Sequence, residues 1–169
     1  VAQGEIAEGL AAFDRALGAA PADAALASNR LLALHYDPDR TAGDLAAEHR
    51  RWGERHGRAP PPPRHLNPPD PDRVLRIGYV SPDFCRHPVG WFLTAPLTHR
   101  DRGRFHVTAY SNRRTEDDMT AVIRGLVDRW RPVATLDDAA LAAQVRADGI
   151  DILVDLAGHT MGNRLGVFA

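Results

Sequence analysis

The chain has 169 residues, about one domain's length, with 44% hydrophobic residues, 25% charged residues and a formal net charge of −1. All 21 Lys-plus-Arg residues are arginine, which excludes a Schiff-base or P-loop lysine from this stretch, and the near-zero charge argues against a nucleic-acid binder's basic stripe. A single cysteine, Cys85, excludes an intrachain disulfide and a multi-cysteine metal site and fits a reducing, cytoplasmic compartment, while no apolar run approaches the ~18 residues of a membrane span.

The first segment is alanine-rich and reads as helical. Ile6, Leu10, Phe13 and Leu17 recur at spacings of four, three and four, which is one helical face, and Pro21 ends it. A second helix is expected from Ala22 to about Tyr36, closed by Asp37-Pro38-Asp39. Thr41, with Asp44 three residues on, resembles a capping box that opens a third helix through about Arg55. Gly9, Phe13, Ala16 and Pro21 fall at the spacing of the second helix of a tetratricopeptide repeat, a spacing that a generic helical hairpin also meets. Residues 1–58 form the helical part on this reading. Residues 59–72, APPPPRHLNPPDPD, hold seven of the 13 prolines and read as a semi-rigid linker.

From residue 73 to 169 strands and helices alternate. VLRIGYVS (74–81) and FHVTAYS (105–111) are apolar, β-rich runs, and VGWFLTAPLTHR (89–100) between them reads as a helix. In EDDMTAVIRGLVDRW (116–130), Met119, Val122, Ile123, Leu126 and Val127 share a helical face behind an acidic first turn. A short strand is expected through 131–135, a helix over 137–148 capped by Gly149, and a fourth strand over 150–156. Strands that alternate with helices and read as continuous apolar runs imply right-handed crossovers in a parallel sheet, a Rossmann-like half of an α/β fold.

Ligands of such sheets bind beyond the carboxyl ends of the strands, which singles out two loops. SPDFCRHPVG (81–90) concentrates Asp83, Cys85, Arg86 and His87, with two prolines restricting the backbone. His87 there can take a proton from a hydroxyl or orient a substrate, although a histidine that merely satisfies loop carbonyls gives the same pattern. Asp83, Cys85 and His87 also match a metal triplet by residue type, but no second cluster supports one. AGHTMGNR (157–164) brings Gly158 and Gly162 beside His159 and Thr160, so that backbone N–H groups and a hydroxyl can approach a sugar or phosphate; the plain alternative is a turn. No G-x-G-x-x-G follows the first strand, and no Walker A, G-x-S-x-G or H-E-x-x-H occurs.

RIGYVSPDFCRHPVGWFL and DGIDILVDLAGHTMGNRLGVFA resemble the amino-terminal catalytic half of the O-linked N-acetylglucosamine transferase and Spindly-like family, in which tetratricopeptide repeats precede a GT-B glycosyltransferase region. ALASNRLLALHYDPDRTAGDLAAEHRRWGERHG resembles the last repeat and transitional helices of the bacterial members. The resemblance implies inverting, metal-independent transfer of N-acetylglucosamine from UDP-GlcNAc to Ser or Thr hydroxyls of proteins recruited through the repeats, in the cytoplasm and without nucleic acid or membrane. It needs no cofactor beyond the nucleotide-sugar donor. His87 matches the motif histidine beside the sugar, as base or positioning residue, and Thr160 matches a sugar contact; Asp83, Gly158 and His159 are the other expected substrate-binding residues.

The animal enzymes read Asn-Gly-Tyr-Thr where this chain reads Ala157-Gly158-His159-Thr160, so one sugar hydrogen bond is lost. The same scaffold with another donor, GDP-fucose as in plant Spindly-type relatives or UDP-glucose, is the first alternative. A non-catalytic repeat-containing binding protein is the second. The chain opens on Val1 and closes just past the second loop, so it reads as a fragment, with the phosphate-binding lysine expected in a second α/β half. Alone, such a fragment is expected to be inactive.

Overall fold

The structure is a computed structural model that describes residues 5–57 and 65–168. The described residues form two compact units, one of residues 5–57 with 159–161, the other of 65–158 with 162–168.

The helical unit contains α1 (Ile6–Ala19), α2 (Ala24–Leu34) and α3 (Ala42–His56). Each of the last two starts on a side-chain cap that satisfies an otherwise orphaned backbone donor. The Asp23 carboxylate accepts from the Leu26 N–H at 2.9 Å. Thr41 and Asp44 form the reciprocal capping box, with the Asp44 N–H donating to Thr41 Oγ1 at 3.2 Å and the Thr41 N–H to Asp44 Oδ2 at 2.9 Å. The apolar stripe of α1 meets α2 around Leu10, Leu31, Ala33 and Leu34, with Phe13, Leu45 and Trp52 packed against them.

The sheet unit is built on four parallel strands in the order β3-β2-β1-β4: β1 (Leu75–Ser81), β2 (Phe105–Ser111), β3 (Arg129–Pro132) and β4 (Ile152–Asp155). Between them run α4 (Pro88–His99), α5 (Asp118–Leu126) and α6 (Asp138–Ala147), and a short 3-10 turn covers Leu165–Phe168. The alternation of β2 divides its side chains between two cores. Val107 and Ala109 join Phe84, Leu93, Leu97, Met119 and Ile123, which come from the β1–α4 loop, α4 and α5. Tyr110 joins Val80, Val133, Leu141 and Val145 on the opposite face, under α6. Both faces are thus covered, the doubly wound form of an α/β sheet.

Element ends shift by a few residues from the sequence expectation, and at one place a helix gives way to a strand. The helix expected over 116–130 ends at Leu126, and the strand expected at 131–135 starts earlier, at Arg129. Sheet pairing overrides the helical period here: Arg129–Pro132 ladder with Thr108–Ser111, and the Trp130 ring packs 5.6 Å from Phe84 instead of extending the face of α5. Residues 59–64 of the expected Pro-rich linker lie outside the described residues. Its remainder is anchored on the sheet unit by Asn67, whose side-chain amide donates to the Gly149 carbonyl at 3.1 Å.

Candidate active site at the carboxyl edge of the sheet

The β1–α4 loop is held by a run of short backbone turns. Asp83 N–H donates to the buried Ser81 hydroxyl at 2.9 Å, Cys85 N–H to the Asp83 carbonyl at 2.8 Å, and His87 N–H to the Cys85 carbonyl at 2.7 Å. Pro88 occupies the first turn of α4, where its missing N–H costs nothing. Gly90 allows the helix to start this close to the loop, because a Cβ there would fall 2.2 Å from the Cys85 carbonyl oxygen.

This fixes His87 as the N-cap of α4, its Nδ1 accepting from the Val89 N–H at 3.3 Å. The same Nδ1 lies 3.8 Å from Asp83 Oδ2, and the side chain is 45% exposed. The two contacts make opposite demands on the ring. Accepting from Val89 puts the proton on Nε2 and makes that nitrogen a donor. Turning Nδ1–H toward Asp83 leaves the Nε2 lone pair to act as a base. The capping bond at 3.3 Å is a hydrogen bond and the Asp83 contact at 3.8 Å is not, a geometry that goes with the Nε2-protonated tautomer.

Neighbouring charges brace the loop. The Arg86 backbone N–H donates to Asp117 at 2.9 Å, and its guanidinium grips Asp118 at 2.6 and 2.5 Å. Backbone hydrogen bonds from Arg86 and Thr120 hold the Asp117 carboxyl below its usual range. Cys85 is buried, and desolvation pushes its thiol pKa up, which makes it a packing residue rather than a nucleophile. Among the described residues no three His, Cys, Asp or Glu side chains gather as a metal site requires.

The loop after β4 turns on Asp155, whose carboxylate accepts from the N–H groups of Ala157 and Gly158 at 3.1 and 2.6 Å. Gly158 has φ +55° and no atom near its Cβ position. Gly162, at φ +78°, packs against Pro82 with only 3.0 Å from a notional Cβ to the proline ring. The Asn112 side chain donates to its carbonyl at 2.8 Å. The two loops therefore meet at the carboxyl ends of β1 and β4.

Arg164 is the residue that sequence reading missed. Though 8% exposed, it binds Asp138 at 2.5 Å, Asn112 at 2.9 Å and the Val133 and Leu136 carbonyls at 3.3 and 2.8 Å. Its partners are 26 to 52 residues away, and nothing local in the sequence announces them. The structure brings Asp83, His87 and Gly158 to one edge of the sheet unit. His159 and Thr160 belong to the helical unit, where His159 Nδ1 lies 2.6 Å from Ser28 Oγ and the ring stands 4.9 Å from His49 and 5.1 Å from Trp52.

In an open parallel α/β sheet ligands bind in the crevice outside the carboxyl ends of the strands, the edge on which Asp83, His87 and Gly158 lie. Residues 63–169 match the glycosyl transferase family 41 profile, and the chain belongs to that family. A solved mutant of the Thermobaculum terrenum O-GlcNAc transferase is 40% identical, with a TM-score of 0.90 over 98% of this chain and 32% of that one. The Arabidopsis thaliana protein described as probable UDP-N-acetylglucosamine–peptide N-acetylglucosaminyltransferase SPINDLY is 41% identical over 146 residues, 83% of this chain and 16% of that protein. A Caenorhabditis elegans UDP-N-acetylglucosamine–peptide N-acetylglucosaminyltransferase is 32% identical over 99 residues, 56% of this chain and 8% of that protein. The chain thus spans a minor part of each relative's length. No helix among the described residues is long and apolar enough to cross a membrane.

Proposed function

We propose that this chain forms the acceptor-side wall of the cleft in a protein O-glycosyltransferase that moves N-acetylglucosamine from UDP-GlcNAc to Ser or Thr hydroxyls, with inversion and without a metal. The observation that carries the reading is the His87 cap: a half-exposed imidazole fixed at a helix start beside Asp83, its Nε2 without a protein partner among the described residues. In a single displacement the acceptor oxygen attacks the anomeric carbon, the bond to the diphosphate breaks and its electron pair leaves with the nucleotide. The hydroxyl proton must go to a base. His87 meets that need once Nδ1–H turns to Asp83 and the Nε2 lone pair faces the hydroxyl; in its resting tautomer it orients the sugar or acceptor by donating. Thr160 and the Gly158 backbone are the sugar contacts. The α1–α3 segment is the end of a repeat array that recruits acceptors, and the protein works in the cytoplasm.

A second reading keeps the scaffold and changes the donor to GDP-fucose or UDP-glucose. Ala157 favours it, because a methyl side chain offers the sugar no hydrogen bond. Incubating the full-length protein with an acceptor protein and each of the three nucleotide sugars, then weighing the product, separates the two. A mass gain of one N-acetylhexosamine supports the first reading, and gain from a different donor alone supports the second. No gain from any donor contradicts both and leaves a non-catalytic repeat protein.

A further inference from the structure

The sheet unit has a cavity of about 860 Å³ at the edge opposite the candidate active site, lined by residues at the amino ends of the strands and the segment 65–68. Its volume is that of a small-molecule site. Four arginines, Arg73, Arg76, Arg129 and Arg146, line it against two carboxylates, Asp148 and Asp151. Both carboxylates are already engaged. Asp151 takes Arg73 at two contacts of 2.6 Å and the Arg76 N–H at 2.8 Å, while Asp148 takes Arg129 at 2.8 Å, Arg131 at 2.6 Å and the Tyr110 hydroxyl at 2.8 Å. Among the described residues the guanidinium groups of Arg76 and Arg146 pair with no carboxylate, so the cavity keeps unneutralised positive charge.

His106 also lines the cavity, with its Nδ1 buried away from it. The remaining wall is apolar, from Leu66, Val145, Ile150 and Leu153.

We infer that this cavity is a second binding site, for a small organic anion whose phosphate or carboxylate head meets Arg76 and Arg146 and whose apolar or planar body lies on the opposite wall. Guanidinium forks suit planar or tetrahedral oxyanions, and the partial enclosure strengthens the pairing relative to open water. The site is separate from the sugar-transfer reading and stands without it.

The test is calorimetric titration of the full-length protein with 1-naphthyl phosphate, 1-naphthoate and the neutral 1-naphthalenemethanol. Saturable binding of either anion without the alcohol, weakened tenfold or more by Arg146→Gln or Arg76→Gln but unchanged by Arg114→Gln, supports the site; the tighter anion identifies the head group. Arg146 is exposed on α6, so its variant keeps the test open if Arg76→Gln disturbs the fold. Absence of saturable binding by both anions, equal binding of the alcohol, or anion binding that both variants leave intact overturns the proposal. A His87→Ala protein is expected to bind the same anion unchanged, which keeps this result distinct from any failure of sugar transfer.

Discussion

At the residue scale the informative groups are those where two interactions compete for one atom. His87 Nδ1 is claimed by the Val89 N–H at 3.3 Å and faced by Asp83 at 3.8 Å, so Asp83 governs the tautomer only when the ring moves. Asp151 is the opposite case, its partners all acting in one direction. The Arg73 hydrogen bonds are the largest influence on its carboxyl and hold it well below the ordinary range, outweighing burial, with further help from the Arg76 N–H and Asn67. A depressed carboxyl pKa contributes stability that is fully present above the unfolded value of about 3.9 and is lost as pH falls toward the folded value. Asp151→Asn should therefore lower the thermal midpoint near neutral pH. In acid scans its curve should approach that of the wild type as pH drops from about 5 toward 2. A constant offset across that range would show that the pairing contributes nothing electrostatic.

At the element scale the loops are tied down by a few long-range bonds. Arg164 connects the loop after β4 to the α6 N-terminus and to the ends of β2 and β3, and its removal takes a donor from the Leu136 carbonyl and the ion-pair partner from Asp138, whose side chain is 46% exposed. Arg164→Ala is expected to destabilise by about 2 kcal/mol, the order seen when hydrogen bonds from a charged donor to buried acceptors are lost, read as a shift in the denaturant midpoint. A shift under about 0.5 kcal/mol would mean that the loop finds its place without it.

This is also where the sequence stopped being legible. Caps such as Thr41 with Asp44 involve neighbours three residues apart and could be read directly, as could the strand and helix alternation of 74–111. The end of α5 could not, because Trp130 fits a helical face as well as a strand and only its pairing with Ala109 decides. Asp83 and His87 were visible as a cluster, whereas Arg164 needed three elements to be folded before its role existed.

At the scale of the whole molecule, two edges of one sheet carry different chemistry. The carboxyl edge has the Asp83 and His87 loop, braced by Arg86 on Asp118, and the amino edge has an arginine-lined cavity. With 21 arginines and no lysine, any anion met by this stretch is met by guanidinium groups. The most direct test is the initial rate of sugar transfer by the full-length protein carrying His87→Ala, beside the wild type and Asp83→Asn. The account predicts a fall in kcat of about 10²-fold or more for His87→Ala, the order expected when a general base is removed, with a smaller loss for Asp83→Asn. Near-wild-type turnover by the His87→Ala protein would contradict it.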